Sequence, residues 1–82
     1  MKFYHKNGCP LCKIASMKLQ SYNIECEDIL VNPDDNNDMN FAHLMGLGVK
    51  QMPVLEFNDG TYVQGAAAIK WINAEGNKWT LT

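Results

Sequence analysis

Met1-Lys2-Phe3-Tyr4-His5-Lys6-Asn7-Gly8-Cys9-Pro10-Leu11-Cys12 is the stretch that decides the fold. Met1 to Tyr4 is short, apolar and aromatic, as a strand would be, and Asn7-Gly8 breaks it. From Leu11 onward, Leu11, Ile14, Ala15, Leu19 and Tyr22 recur at helical spacing, with Lys13, Ser16 and Gln20 on the opposite face. Asn23 ends that helix, either as a left-handed cap or as the first residue of the next turn. A Cys-x-x-Cys pair therefore stands where a strand turns into a helix.

Working outward, Ile24 to Val31 reads as a second strand. Ile24 and Cys26 alternate with Glu25 and Glu27, and the run closes on Ile29-Leu30-Val31, which suits an inner, parallel strand. Asn32 to Asn37 is a polar loop, and Asp34 to Asp38 offers caps for a helix over Met39 to Leu47, closed by Gly46 and Gly48. Val54 to Phe57 is a strand entered through Met52-Pro53. Asn58-Asp59-Gly60 turns it into Thr61-Tyr62-Val63, because Asp-Gly supplies the positive φ angles of a tight hairpin. A last helix runs from Gly65 to Ala74, with Ala68, Trp71 and Ile72 on one side. The order βαβαββα predicts an α/β fold, a single domain over residues 1–82.

Composition narrows the function. With 82 residues there is room for one core and no more, and 46% hydrophobic with 20% charged residues is ordinary for a globule. The net charge is −2, the seven Lys are scattered and Arg is absent, so no basic face for nucleic acid and no bidentate carboxylate clamp is expected. No segment approaches the roughly 20 apolar residues that cross a bilayer, and the N-terminus lacks the pattern of a signal peptide. The expectation is a monomer in the cytoplasm, where thiols stay reduced and a cysteine pair is catalytic or metal-binding rather than structural. The odd count of three cysteines agrees.

At a strand-to-helix junction the pair has a specific chemistry. The unpaired N–H groups of the first turn and the positive end of the helix dipole stabilise a thiolate at Cys9. Pro10 fits the first helical position, where its missing N–H has no partner to lose, and Lys6 and Lys13 add positive potential. Motifs of this type lower a thiol from a pKa of about 8.5 into the range of about 3.5 to 7.5. Cys9 is thus the attacking nucleophile, and Cys12, one turn deeper, resolves the mixed disulfide. Leu11 between them leaves room for a protein substrate.

Other readings of these residues exist. Zinc and iron sites also use Cys-x-x-Cys, but a tetrahedral site needs a second pair of ligands. His5, His43 and Cys26 form no such pair, and Cys26 is expected to pack in the core, so no metal site is assigned. His5 reads as a partly exposed strand-end residue rather than a base for Cys9. A recognition module using the Met52-Pro53 edge and the Trp79 tail, with no catalysis, is a third reading; Trp79 is expected to pack back on the fold. Asp34 to Asp38 lacks the glycine and distal glutamate of a calcium loop.

Taken together, Cys9-Pro10-Leu11-Cys12, the segment Gly48-Val49-Lys50-Gln51-Met52-Pro53-Val54, and Gly65 after the hairpin resemble the glutaredoxin family over nearly the whole chain. The resemblance implies a thioredoxin-like three-layer sandwich with a four-stranded mixed sheet and a dithiol oxidoreductase of proteins or small disulfides. It also implies a cis peptide at Met52-Pro53, which would leave the backbone of Met52 free to pair with an extended substrate. Lys6, Leu11, Met52, Pro53, Gly65 and Ala66 are then the expected substrate-binding residues. No bound cofactor is expected. The electron source would be glutathione or a flavoprotein of the thioredoxin-reductase type, and ribonucleotide reductase is one implied partner. Glutathione-dependent members carry Gly-Gly and a Cys/Ser-Asp pair at the last helix, where this chain has Gln64-Gly65-Ala66-Ala67-Ala68. The donors of ribonucleotide reductase carry Gly-Phe-Arg-Pro there, which is absent too. The alanine run argues for weak glutathione binding.

Overall fold

The computed structural model describes residues 1–80, with side chains through Lys78. Its elements are β1 (Lys2–His5), α1 (Pro10–Ser21), β2 (Glu27–Leu30), α2 (Met39–Leu47), β3 (Val54–Glu56), β4 (Tyr62–Gln64) and α3 (Ala66–Thr80), in the expected βαβαββα order. The sheet runs β2-β1-β3-β4; β1 is parallel to β2 and antiparallel to β3, and β3 is antiparallel to β4.

Alternation along the central strands builds two cores, since successive side chains point to opposite faces. Phe3 and Leu55 meet Ala15 and Leu19 of α1 and Ala68 and Ile72 of α3 on one face. Tyr4 and Val54 meet Leu44 of α2, with Val31 and Val49, on the other. The result is the three-layer arrangement of a thioredoxin-like fold.

Three expectations about the elements need correction. The second strand is short and lies at the sheet edge, with Leu30 52% exposed, because β1 carries β3 on its other side. Residues 23 and 24 are still closing α1: Asn23 takes a φ of 56°, and Ile24 N–H donates to Leu19 O. Second, the buried stripe of α1 is Cys12, Ala15 and Leu19, while Leu11 and Ile14 are exposed. The stripe begins at Cys12, one residue later than hydropathy suggests, because the first turn overhangs the end of the sheet. Third, α3 continues past Ala74 to Thr80, so the presumed tail is helical that far; the packing of Trp79 lies outside the described side chains.

At Gly76, α3 passes against α1. The ring of Tyr22, at the end of α1, lies against it so closely that any Cβ would run into the ring carbons. Gly46 in α2 faces open space instead. Opposite outcomes follow from the same substitution. Gly46→Ala raises stability by about 0.5–1 kcal/mol through helix propensity. Gly76→Ala lowers it by about 1–3 kcal/mol, overpacking outweighing propensity. Urea denaturation of both variants checks this pair, and stabilisation by Gly76→Ala would refute the contact.

Two polar devices fix α2 over the sheet. Asp38 caps it, accepting from Asn40 and Phe41 N–H, and also takes the N–H of Asn32 at 2.8 Å, tying the helix to the end of β2. These backbone donors, Asn32 first, hold the Asp38 carboxyl below the ordinary range. Below the site, Glu56 accepts from Tyr4 Oη at 2.9 Å and meets His43 Nε2 at 2.9 Å. Burial opposes the charge on Glu56, but its bonds to His43 and Tyr4 outweigh that and keep its carboxyl low. Burial, then the bond to Glu56, pushes Tyr4 up to about 12.

Candidate active site

Cys9 is the N-cap of α1, with extended backbone angles. Its carbonyl accepts the first helical bond from Lys13 N–H at 3.1 Å, and its Sγ accepts from Cys12 N–H at 3.2 Å. Pro10, next in line, has no N–H to leave unpaired. The sulfur therefore caps the helix as a Ser or Asp oxygen would, and a helix start favours negative charge there.

The second cysteine is different. Cys12 is 3% exposed on the inner side of the first turn, whereas Cys9 is partly open to solvent. Burial pushes the Cys12 thiol well above its ordinary range, helped by its hydrogen bond to Cys9 and by charge on Cys9; the backbone and ammonium of Lys6 pull the other way. The two thiols of the pair therefore sit in unlike surroundings, one at the mouth of the helix start and the other under it.

His5 is not aimed at this pair. Its Nε2 lies 2.6 Å from Asp28 Oδ1 and its ring stacks on Phe3 at 5.2 Å, so β2 and the core hold it. Cys26 packs, partly buried, against the first core, where burial and the nearby Asp28 raise its thiol. Among the described residues no three His, Cys, Asp or Glu side chains converge on a metal position, and no helix is long and apolar enough to cross a membrane.

An open groove of about 820 Å³ runs from Cys9 across the end of the sheet. Lys6, Leu11, Met52 and Ala66 line it with Cys9. Cys12, Pro53 and Gly65 are buried and do not line it. The Met52–Pro53 peptide is cis. Among the described residues neither the N–H nor the C=O of Met52 makes a hydrogen bond. A short backbone edge is thus free beside Cys9.

Sequence reading missed the far wall. Phe41, Leu44 and Met45 of α2 form it, with Val31 and Pro33 below. The only signal was the apolar content of Met39 to Leu47, which says that a face is covered but not by what. Among the described residues, Lys6 and Lys50 are the only charged ones along the groove, and no carboxylate lines it. At the start of α3, Ala66 and Ala67 present only methyl groups.

A search of curated proteins finds none that matches the chain. The family model described as Glutaredoxin matches residues 1–63, from β1 through the hairpin and including both Cys9-Pro10-Leu11-Cys12 and Met52-Pro53. With that match over most of its length, a thioredoxin-like fold and a cysteine pair at the start of α1, the chain belongs to the glutaredoxin family.

Proposed function

We propose that the chain is a dithiol oxidoreductase that reduces disulfides of proteins and draws its electrons from a protein reductase in preference to glutathione. The observation that carries the reading is a partly exposed Cys9 Sγ, capping a helix, in an open groove that also holds the unpaired backbone of Met52.

An extended segment of substrate pairs with the N–H and C=O of Met52, as a strand adds to a sheet edge, and brings its disulfide to Cys9. The Cys9 thiolate bonds to one substrate sulfur while the other leaves as a thiolate and takes up a proton. Cys12 then loses its proton and attacks Cys9 Sγ, releasing the second substrate thiol and leaving a Cys9–Cys12 disulfide. Two electrons have passed to the substrate. A reductase dithiol restores the Cys9 thiolate and the Cys12 thiol with two electrons and one proton, its second proton passing to solvent. Lys6 and Leu11 contact the substrate from the side of Cys9, and Ala66 from the opposite side.

The preference for a protein donor follows from what lines the groove. Glutathione carries two carboxylates and an ammonium group. The lysines could serve the carboxylates, but among the described residues no acid lines the groove to receive the ammonium, and the alanines at the start of α3 add no polar side chain. The wall of Phe41, Leu44 and Met45 suits apolar side chains of a protein segment. Ribonucleotide reductase is a substrate of this class, and a reducing compartment such as the cytoplasm suits the chemistry.

A coupled assay tests this with NADPH and insulin, comparing thioredoxin reductase with glutathione plus glutathione reductase. The expected result is rapid turnover with the first and at least about tenfold slower turnover with the second. Fast reduction of hydroxyethyl disulfide by the glutathione system alone would overturn the choice of donor. Silence with both systems would overturn the enzymatic reading.

A further inference from the structure

The geometry points to Gln64 as the residue that positions the substrate-pairing edge at Met52. The loop from Gly48 to Pro53 belongs to no helix or strand, yet its backbone donors are nearly all engaged. Val49 N–H donates to Leu44 O at 3.1 Å, anchoring the loop to α2. The next two, Lys50 and Gln51 N–H, both donate to a single atom, Gln64 Oε1, at 2.8 and 3.0 Å. Pro53 has no N–H. Met52 N–H alone is left over.

A carboxamide oxygen has two lone pairs, so two N–H donors saturate it. Two successive amides can reach one oxygen only if both turn toward it, and Gln64 lies at the end of β4, opposite Val54 in the ladder. The loop is therefore drawn toward β4 on that side, and Met52 is the first residue free to turn its backbone into the groove. Two neighbouring contacts reinforce the grip. Gly65 N–H donates to Pro53 O at 2.8 Å. The side chain of Gln51 lies over Gly65, whose φ of 59° and missing Cβ make room for it. Leu, Ala or Ser at position 64 would remove the shared acceptor. Gln is long enough to reach both amides from the strand end.

This inference rests on the proposed pairing of substrate with Met52, and one pair of variants separates the two. Gln64→Leu keeps the size of the side chain and removes the acceptor; Gln64→Glu keeps an oxygen in the same place. With insulin as substrate, Gln64→Leu should raise KM about tenfold at nearly unchanged kcat, the size of one or two hydrogen bonds. Gln64→Glu should restore most of the loss. Alkylation of Cys9 by iodoacetamide, which needs no backbone pairing, should proceed at the wild-type rate in both. An unchanged KM in Gln64→Leu, a Gln64→Glu variant as impaired as Gln64→Leu, or an equal loss in alkylation would overturn the assignment.

Amide hydrogen exchange gives a readout independent of turnover and of whether Gln64→Leu folds. In the wild-type protein the amides of Lys50 and Gln51 should be protected despite their place in an exposed loop, and that of Met52 should exchange freely. Rapid exchange at Lys50 and Gln51 would refute the clamp even in a fully active enzyme. Protection there in a protein that reduces nothing would leave the clamp standing and the proposed function refuted.

Discussion

Cys9→Ser loses disulfide reduction by on the order of a thousandfold or more, whatever the electron source, while the fold survives. Ser is a good N-cap, so its Oγ can accept the Cys12 N–H that Cys9 Sγ now accepts at 3.2 Å, and helix α1 keeps its first turn. What is lost is the nucleophile, since a hydroxyl at neutral pH is neither ionised nor able to exchange with a disulfide. Insulin reduction measures the loss, and the far-ultraviolet circular dichroism spectrum should be unchanged. Retention of even a tenth of the activity would mean that Cys12 or Cys26 attacks substrate. The burial that raises both of those thiols argues against that.

Cys12→Ser has the second largest effect and a different signature. The first attack is intact, because Cys9 keeps its place at the helix start, but no internal thiol can release the product. Each molecule should therefore stop after one exchange, with Cys9 held in a mixed disulfide with its substrate. Mass spectrometry should find close to one adduct per chain, and steady-state turnover with a protein reductase should fall about a hundredfold or more. Addition of dithiothreitol should release the trapped protein. Full turnover without adduct would show that an external thiol resolves the intermediate, by a monothiol route. Cys12 is 3% exposed and belongs to the buried stripe of α1, so Ser at this position also buries a hydroxyl at a cost of about 1–3 kcal/mol. Cys12→Ala separates that packing cost from the loss of the resolving thiol.

The placement of the pair was legible in the sequence because it depends on local structure. A strand, a break at Asn7-Gly8, Pro10 and a helical repeat are enough to put Cys9 at a helix start, and the cap geometry follows from that position alone. The same holds for Asp38 at α2 and Asn23 at the end of α1. Hydropathy was less informative where both neighbours and solvent compete for a side chain. Leu11 and Ile14 belong to the helical apolar pattern yet stand exposed, while Cys12, a smaller residue, takes the buried place.

Gln64 shows the limit most clearly. Ending the last strand at Val63 leaves Gln64 as a connector between hairpin and helix, with nothing in its neighbours to mark it. Its partners, Lys50 and Gln51, lie 14 and 13 residues earlier, across a strand and a turn. Only the register of β4 on β3, which sets Gln64 opposite Val54, brings them within reach. The groove wall of Phe41, Leu44 and Met45 is of the same kind, since it depends on how α2 crosses the sheet. By itself, then, the sequence determined the order of elements and the place of Cys9 at a helix start with Cys12 one turn deeper, all set by interactions within a few residues. The tertiary structure alone decided which side chains line the groove and which bond to the loop that carries Met52, because those contacts join segments that only the packed sheet brings together.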